Sequence, residues 1–160
     1  MQGRPAPRVG RRGLVKLEHV AAGPYWRASF TAMGGPCEVL CDTDDKGAAR
    51  AARELARAEA LRIERKYSRY RDDSALTRIN RSAGAGVTVD AETAHLLDYA
   101  DACHRLSDGR FDITSGGLSR LWRFDGAPRV PDAAAVAARL VQTGWGKVHW
   151  ERPRLTLPAG

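Results

Sequence analysis

The sequence contains no apolar run approaching the ~18 consecutive residues that a membrane-spanning helix needs, so no span is expected. Its N-terminus also lacks the apolar core and small-residue cleavage site of a secretory signal, which places the chain, as written, in the cytoplasm. Cysteine is scarce, with three residues and hence no paired framework. Cys37 and Cys41 lie in CEVLC, whose strand-like alternation sets their Cα atoms ~13 Å apart on one face. A disulfide needs Cα atoms within ~7 Å, so these are read as small buried thiols, with Cys103 as a core filler on a helix. That usage fits a reducing compartment. His95 and His104 fall on opposite sides of one helix and cannot chelate one metal together. Large charge of one sign is missing from the body of the chain. Residues 1–30 hold six basic side chains against Glu18, whereas the remainder holds twenty basic against eighteen acidic, so the net +7 sits mostly at the start. A basic nucleic-acid module would rest on that leader alone, without an aromatic and basic face in the folded part, and no nucleic-acid partner is expected.

What is present is an ordinary globular composition, 43% hydrophobic and 28% charged over 160 residues. A chain of this size buries roughly two-thirds of its unfolded surface in one modest domain. Residues 1–24, opening MQGRPAPRVGRRG, have no apolar periodicity and read as a disordered basic leader, leaving residues 25–160 as the domain. Alternating β-prone residues over 25–32 and 37–42, separated by Gly34, Gly35 and Pro36, predict a hairpin. The Ala-rich run 48–67 predicts a helix with Ala51, Leu55 and Ala58 along one stripe, capped by Asp44 or Asp45, with Glu59 and Arg62 as a salt-linked pair. SRYRDDSALTRIN reads as loop-like and Val87 to Val89 as a short strand. A second helix starts at Asp90, keeps Leu96, Ala100, Cys103 and Leu106 in helical register, and stops at Gly109. In FDITSGGLSRLW, Phe111 and Ile113 are assigned to a short strand, and Gly116 and Gly117 to a helix start after Thr114 and Ser115 whose free N–H groups could approach an anion. A helix over 131–142, a stop at Gly144, and the strands KVHWE and RLTLP, joined around Arg152 and Pro153, complete the prediction.

Taken in order, FTAMGG, SRYRDDSALTRIN, VDAETAHLLDYADACHRLSDG, GRFDITSGG with LWRFDG, and GWGKVHWERPRLTLPAG resemble the ApbE family, the FAD:protein FMN transferases, from about Phe30 to Gly160. The resemblance implies an α+β fold, a T-fold-like mixed sheet with flanking helices, incomplete at the C-terminus, around a cleft for FAD. It further implies a Mg²⁺-dependent transfer of FMN from FAD to a threonine of a partner flavoprotein, with release of AMP. By motif match, Met33 and Gly34 resemble the first flavin-contacting turn and Tyr70 the aromatic that lies against the cofactor. Arg110, Phe111, Asp112, Thr114 and Ser115 resemble a further contact region, continued by Gly116, with Ser74 and Asn80 as second-tier candidates. Gly35 stands where the family pattern carries threonine. The segment that carries the family's metal ligands is not found in these residues, so no catalytic or metal-binding residue is assigned and Asp72 and Asp73 read as a turn pair. Two readings follow: a transferase of this family, or a non-catalytic flavin-binding half or split-gene remnant that needs a complementary chain.

Overall fold

The computed structural model describes residues 16–20, 25–122 and 130–159. Its architecture is α+β, and the chain divides into two compact units, Met1–Thr77 and Arg78–Gly160. No helix among the described residues is long and apolar enough to cross a membrane.

The first unit is built on an antiparallel meander of β1 (Lys16–Val20), β2 (Tyr25–Ala32) and β3 (Gly35–Asp42). Residues 16–20 were expected within the leader; instead they pair with β2 from Lys16↔Ser29 to Val20↔Tyr25, which moves the start of regular structure upstream. The remainder of that leader, and residues 123–126 of LWRFDG, lie outside the described residues. In the hairpin, Trp26, Ala28, Phe30 and Ala32 share a face with Cys41, Val39, Cys37 and Gly35, their direct partners across the ladder. Helix α1 (Lys46–Tyr67) contacts β2 and β3, and Ala28 and Ala49 are fully buried, as small side chains allow where a helix approaches a sheet closely. Asp45 caps α1 by accepting the Gly47 N–H at 2.7 Å, and Arg65 and Lys66 complement the dipole in the last turn.

Three expectations change here. The turn is Met33–Gly34, with φ of 56° and 79°, the signature of a type I′ hairpin; Gly35 and Pro36 belong to β3. On α1 the stripe Ala51, Leu55 and Ala58 faces outward, Leu55 being 73% exposed, because the helix turns Ala49, Ala52, Ala56 and Ala60 inward instead. Cys37 and Cys41 do lie on one face of β3, but they are half-buried rather than buried.

The stretch expected as a loop after Tyr67 contains a short helix, α2 (Ala75–Arg81), whose start is stabilised by the Ser74 hydroxyl accepting the Thr77 N–H at 3.0 Å. In the second unit, β4 (Val87–Thr88), β5 (His149–Glu151) and β6 (Arg154–Thr156) form an antiparallel sheet with β6 central. Its core gathers Ile79, Val89, Ala94, Leu97, Trp145 and Leu155, flanked by Val87, Val148, Trp150 and Leu157. Helix α3 (Ala91–Leu106) is capped by Asp90, whose carboxylate accepts the Thr93 N–H and hydroxyl at 3.0 and 3.1 Å. It buries Thr93, Ala94, Leu97 and Ala100; Leu96 and Leu106 are exposed and Cys103 is half-buried, so the predicted stripe is displaced by about one residue. Helix α4 (Ala133–Leu140) is capped by Asp132, slightly shorter than predicted.

Candidate functional site

The first-unit candidates occupy a turn and a loop. Met33 is 59% exposed in a left-handed conformation uncommon for a residue with a side chain, so the hairpin tip displays its thioether. Gly34 supplies the second positive φ of that tip at no steric cost. Tyr70 is 70% exposed; the Arg69 guanidinium lies 5.0 Å from its ring centroid and donates to its hydroxyl at 2.8 Å. That stacking rigidifies an aromatic surface which a flat ring could extend. Ser74 is 3% exposed and engaged as the α2 cap, whereas Asn80 is exposed.

In the second unit the candidate residues are organised around Asp112. Residues 111–113 do not form the expected strand; Asp112 instead caps a 3₁₀ helix, Ile113–Arg120, so the helical start lies before Thr114 and Ser115 rather than at the glycines. The reason is local: an aspartate whose Oδ1 accepts the N–H two residues on, here Thr114 at 2.7 Å, stabilises a turn in place of a ladder. The Thr114 hydroxyl donates to the same Oδ1 at 2.5 Å and accepts the Gly144 N–H at 2.7 Å, while Asp112 Oδ2 accepts the Trp145 N–H at 2.8 Å. One carboxylate and one hydroxyl thus join the 3₁₀ helix to the Gly144–Trp145 turn. The glycine there has φ of 141°, a conformation that favours glycine. His104 adds α3 to this clasp: its Nδ1 lies 2.9 Å from the Phe111 carbonyl, which can only accept, so that nitrogen carries the proton. The same nitrogen is 3.8 Å from Asp112 Oδ2.

Burial pushes the Asp112 carboxyl up, but the Thr114 hydroxyl, the Trp145 and Thr114 N–H groups and the charge of His104 outweigh it and hold the group below the usual aspartate range. The carboxylate is therefore ionised at neutral pH and directed at its own chain. Around it, Arg110, Phe111 and Ser115 are exposed. The Phe111 N–H donates to the Ser107 hydroxyl at 2.9 Å, and the Ser115 N–H to the Asp112 carbonyl at 3.1 Å. A Cβ built on Gly116 or Gly117 would meet nothing within 4 Å, so packing does not require glycine at either position.

A second polar row on α3 escaped the sequence reading. Asp101 accepts the Trp145 indole N–H at 2.8 Å, and Asp98 accepts the Trp150 indole N–H at 2.9 Å and Arg152 at 2.8 Å. The available signal was the i, i+3 spacing of the two aspartates beside two tryptophans that each need an acceptor when partly buried. Which aspartate meets which indole follows from the chain path alone.

Among the described residues, no three His, Cys, Asp or Glu side chains are grouped to hold a metal. Asp73 is engaged bidentately by Arg71 at 2.9 and 2.7 Å, and the Asp112 oxygens already accept three hydrogen bonds. These carboxylates do not fit Mg²⁺, which needs several free oxygen ligands in near-octahedral array.

Comparison with known proteins places these features in a family. The family model described as "ApbE family" matches residues 33–159. An FAD:protein FMN transferase of Klebsiella pneumoniae (strain 342) is 31% identical over 134 residues, covering 80% of this chain and 35% of that protein. One from Chlamydia pneumoniae is 39% identical over 62 residues, covering 38% of this chain and 20% of that protein. Among solved structures, the ApbE protein of Thermotoga maritima superposes with a TM-score of 0.69 at 28% identity, over 84% of this chain and 45% of that one. The flavin transferase ApbE from Vibrio cholerae does so with a TM-score of 0.63 at 25% identity, over 89% of this chain and 46% of that one. The chain spans a little under half the length of these solved relatives and a smaller share of the curated ones. With the family model matching from the Met33 turn to the last strand, the chain belongs to the ApbE family.

Proposed function

We propose that this chain supplies flavin-contacting residues of an FAD:protein FMN transferase. In the reaction a threonine hydroxyl of the acceptor protein attacks the FMN phosphorus of FAD. The new Oγ–P bond forms as the P–O bond to the AMP phosphate breaks, the hydroxyl proton is lost, and AMP leaves. The observation that carries this reading is the family match over residues 33–159, which includes every candidate residue from Met33 to Ser115.

Within the first unit, Met33 and Gly34 form an exposed tip and Tyr70 an exposed, Arg69-backed ring, both suited to a flat heteroaromatic. Within the second unit, Arg110 is the exposed cation of the motif and complements a diphosphate, with Phe111 and Ser115 beside it. Asp112 and Thr114 serve as positioning residues. Their hydrogen bonds fix the backbone that carries Arg110 and Phe111, so that charge developing on the diphosphate meets groups already held in place. In this family Mg²⁺ would neutralise phosphate charge when bound; the described residues assign it no ligands.

The same lack of a metal donor set among the described residues favours, as the second reading, a flavin-binding segment without catalysis of its own. Titrating the chain with FAD, with and without Mg²⁺, while following flavin fluorescence and AMP release, separates the two. Saturable binding weakened by Tyr70→Ala and by Arg110→Ala, with AMP released as FMN passes to an acceptor, supports the transferase. Binding without AMP supports the flavin-binding segment, and absence of saturable binding overturns both.

A further inference from the structure

The turn that carries Arg110 and Phe111 leaves α3 through two consecutive left-handed residues, Asp108 with φ of 52° and Gly109 with φ of 75°. The first is uncommon for a residue with a side chain, so the turn depends on its neighbours to hold it. At its entry the Asp108 N–H donates to the Arg105 carbonyl at 3.3 Å and the Gly109 N–H to the His104 carbonyl at 2.9 Å, an ordinary helix ending. At its exit the Arg110 N–H donates to the Ser107 carbonyl at 3.1 Å. Both polar groups of the Phe111 backbone then meet side chains from the end of α3. The N–H donates to the Ser107 hydroxyl at 2.9 Å, and the carbonyl accepts from His104 Nδ1 at 2.9 Å.

His104 fits this place closely. Its imidazole lies against Gly109, where a Cβ would sit 3.4 Å from Cε1 and 3.7 Å from Nε2, so the turn passes directly beside the ring. The side chain is 27% exposed, and a bond partly shielded from water is worth more than one made in it. Its Nδ1 is also 3.8 Å from Asp112 Oδ2, the oxygen that accepts the Trp145 N–H. Asp112 and Thr114 thus fix the chain that follows Phe111, whereas His104 and Ser107 fix the Phe111 peptide itself. With the main chain tied on both sides, the exposed Arg110 and the 45% exposed Phe111 ring project from a set backbone.

We propose that His104 is a positioning residue for flavin binding: through Nδ1 it holds the Phe111 peptide in the orientation that presents the Phe111 ring and the Arg110 guanidinium to FAD. This inference rests on the flavin-contacting role proposed above for Arg110 and Phe111. His104 needs no contact with the ligand to act in this way. Without its bond the Phe111 carbonyl turns to water, the left-handed turn samples other conformations, and the cost of ordering it falls on the binding step.

The test compares His104→Leu, His104→Gln and His104→Asn in the full chain, by FAD titration followed through flavin fluorescence and by thermal melts. An asparagine amide nitrogen stands as many bonds from the backbone as Nδ1 and restores the donor; glutamine carries it one bond farther, and leucine has none. His104→Leu is expected to raise the FAD Kd by about tenfold, His104→Gln to lie near it, and His104→Asn to stay within about threefold of the wild type. In ligand-free ¹H–¹⁵N spectra the Asp112 amide, which shares the Phe111 peptide, should shift in the Leu and Gln variants and return towards its wild-type position in the Asn variant. Equal FAD affinity of His104→Leu and a wild type that binds overturns this inference and leaves the flavin-contacting reading standing. Absence of saturable binding by the wild type overturns both. A loss of affinity that follows the fall in melting temperature alike in all three variants, with Asn no better than Gln, marks a general packing role and overturns the inference as well.

Discussion

Asp112 shows how much a single carboxylate can organise. Its side chain is 14% exposed and accepts from Thr114 twice and from Trp145 once, so removing it leaves buried donors without a partner. Asp112→Ala is expected to cost about 1–3 kcal/mol in urea unfolding at neutral pH. Because the folded group titrates below its unfolded value, the stabilisation is complete above the unfolded pKa of about 3.9 and is lost as pH falls through the depressed folded value. The stability gap between the wild type and Asp112→Ala should therefore be flat near neutrality and close in the acid range; a gap that widened with acid would contradict the assignment. The residue was legible in the sequence as part of GRFDITSGG, but its partners were not. Gly144 and Trp145 lie 30 and 33 positions from the groups they bond, and no local pattern encodes such a pairing. Over so short a stretch, the alternation of Phe111 and Ile113 imitates a strand, and the aspartate cap decides otherwise.

The helices α1 and α3 appear where composition and capping put them, and the faces they bury are the part that differs. In α1 the apolar residues are mostly alanines distributed around the helix, so several stripes have similar hydrophobicity and the sheet selects the one through Ala49. In α3 burial runs through Thr93, Ala94, Leu97 and Ala100, leaving Leu96 and Leu106 outward. The N-cap itself is sequence-local. Asp90→Ala removes the acceptor of the Thr93 N–H and hydroxyl and is expected to cost about 1–2 kcal/mol, measured by chemical unfolding, with Asp90→Asn recovering most of the loss. Equal stability of the Ala variant and the wild type would show that the cap contributes nothing. The short helix α2 was hidden for the opposite reason: its seven residues lie between Asp- and Ser-rich turns, too short for periodicity to register.

For the molecule as a whole, the second unit depends on residues brought together from distant parts of the chain. Leu155, 2% exposed on the central strand β6, lies opposite Val87 of β4 and Trp150 of β5 and joins the core that Ile79, Leu97 and Trp145 complete. Leu155→Ala is expected to destabilise by about 2–5 kcal/mol in urea unfolding, while Leu55→Ala on the exposed face of α1 stays within about 0.5 kcal/mol of wild type. Comparable effects at the two positions would refute this placement of the core. Family membership and the approximate positions of the main helices and hairpins were already determined by the sequence, because each depends on local propensity or on an ordered set of short motifs. Tertiary structure alone decided which helix faces are buried, that residues 16–20 join the first sheet, and that Asp98, Asp101 and Asp112 serve the two tryptophans and the Gly144 turn. The β1–β2 ladder joins residues 5 to 13 positions apart in a register that only pairing fixes, whereas the buried faces and the aspartate bonds depend on contacts between residues far apart in sequence, whose geometry exists only after the chain has closed on itself.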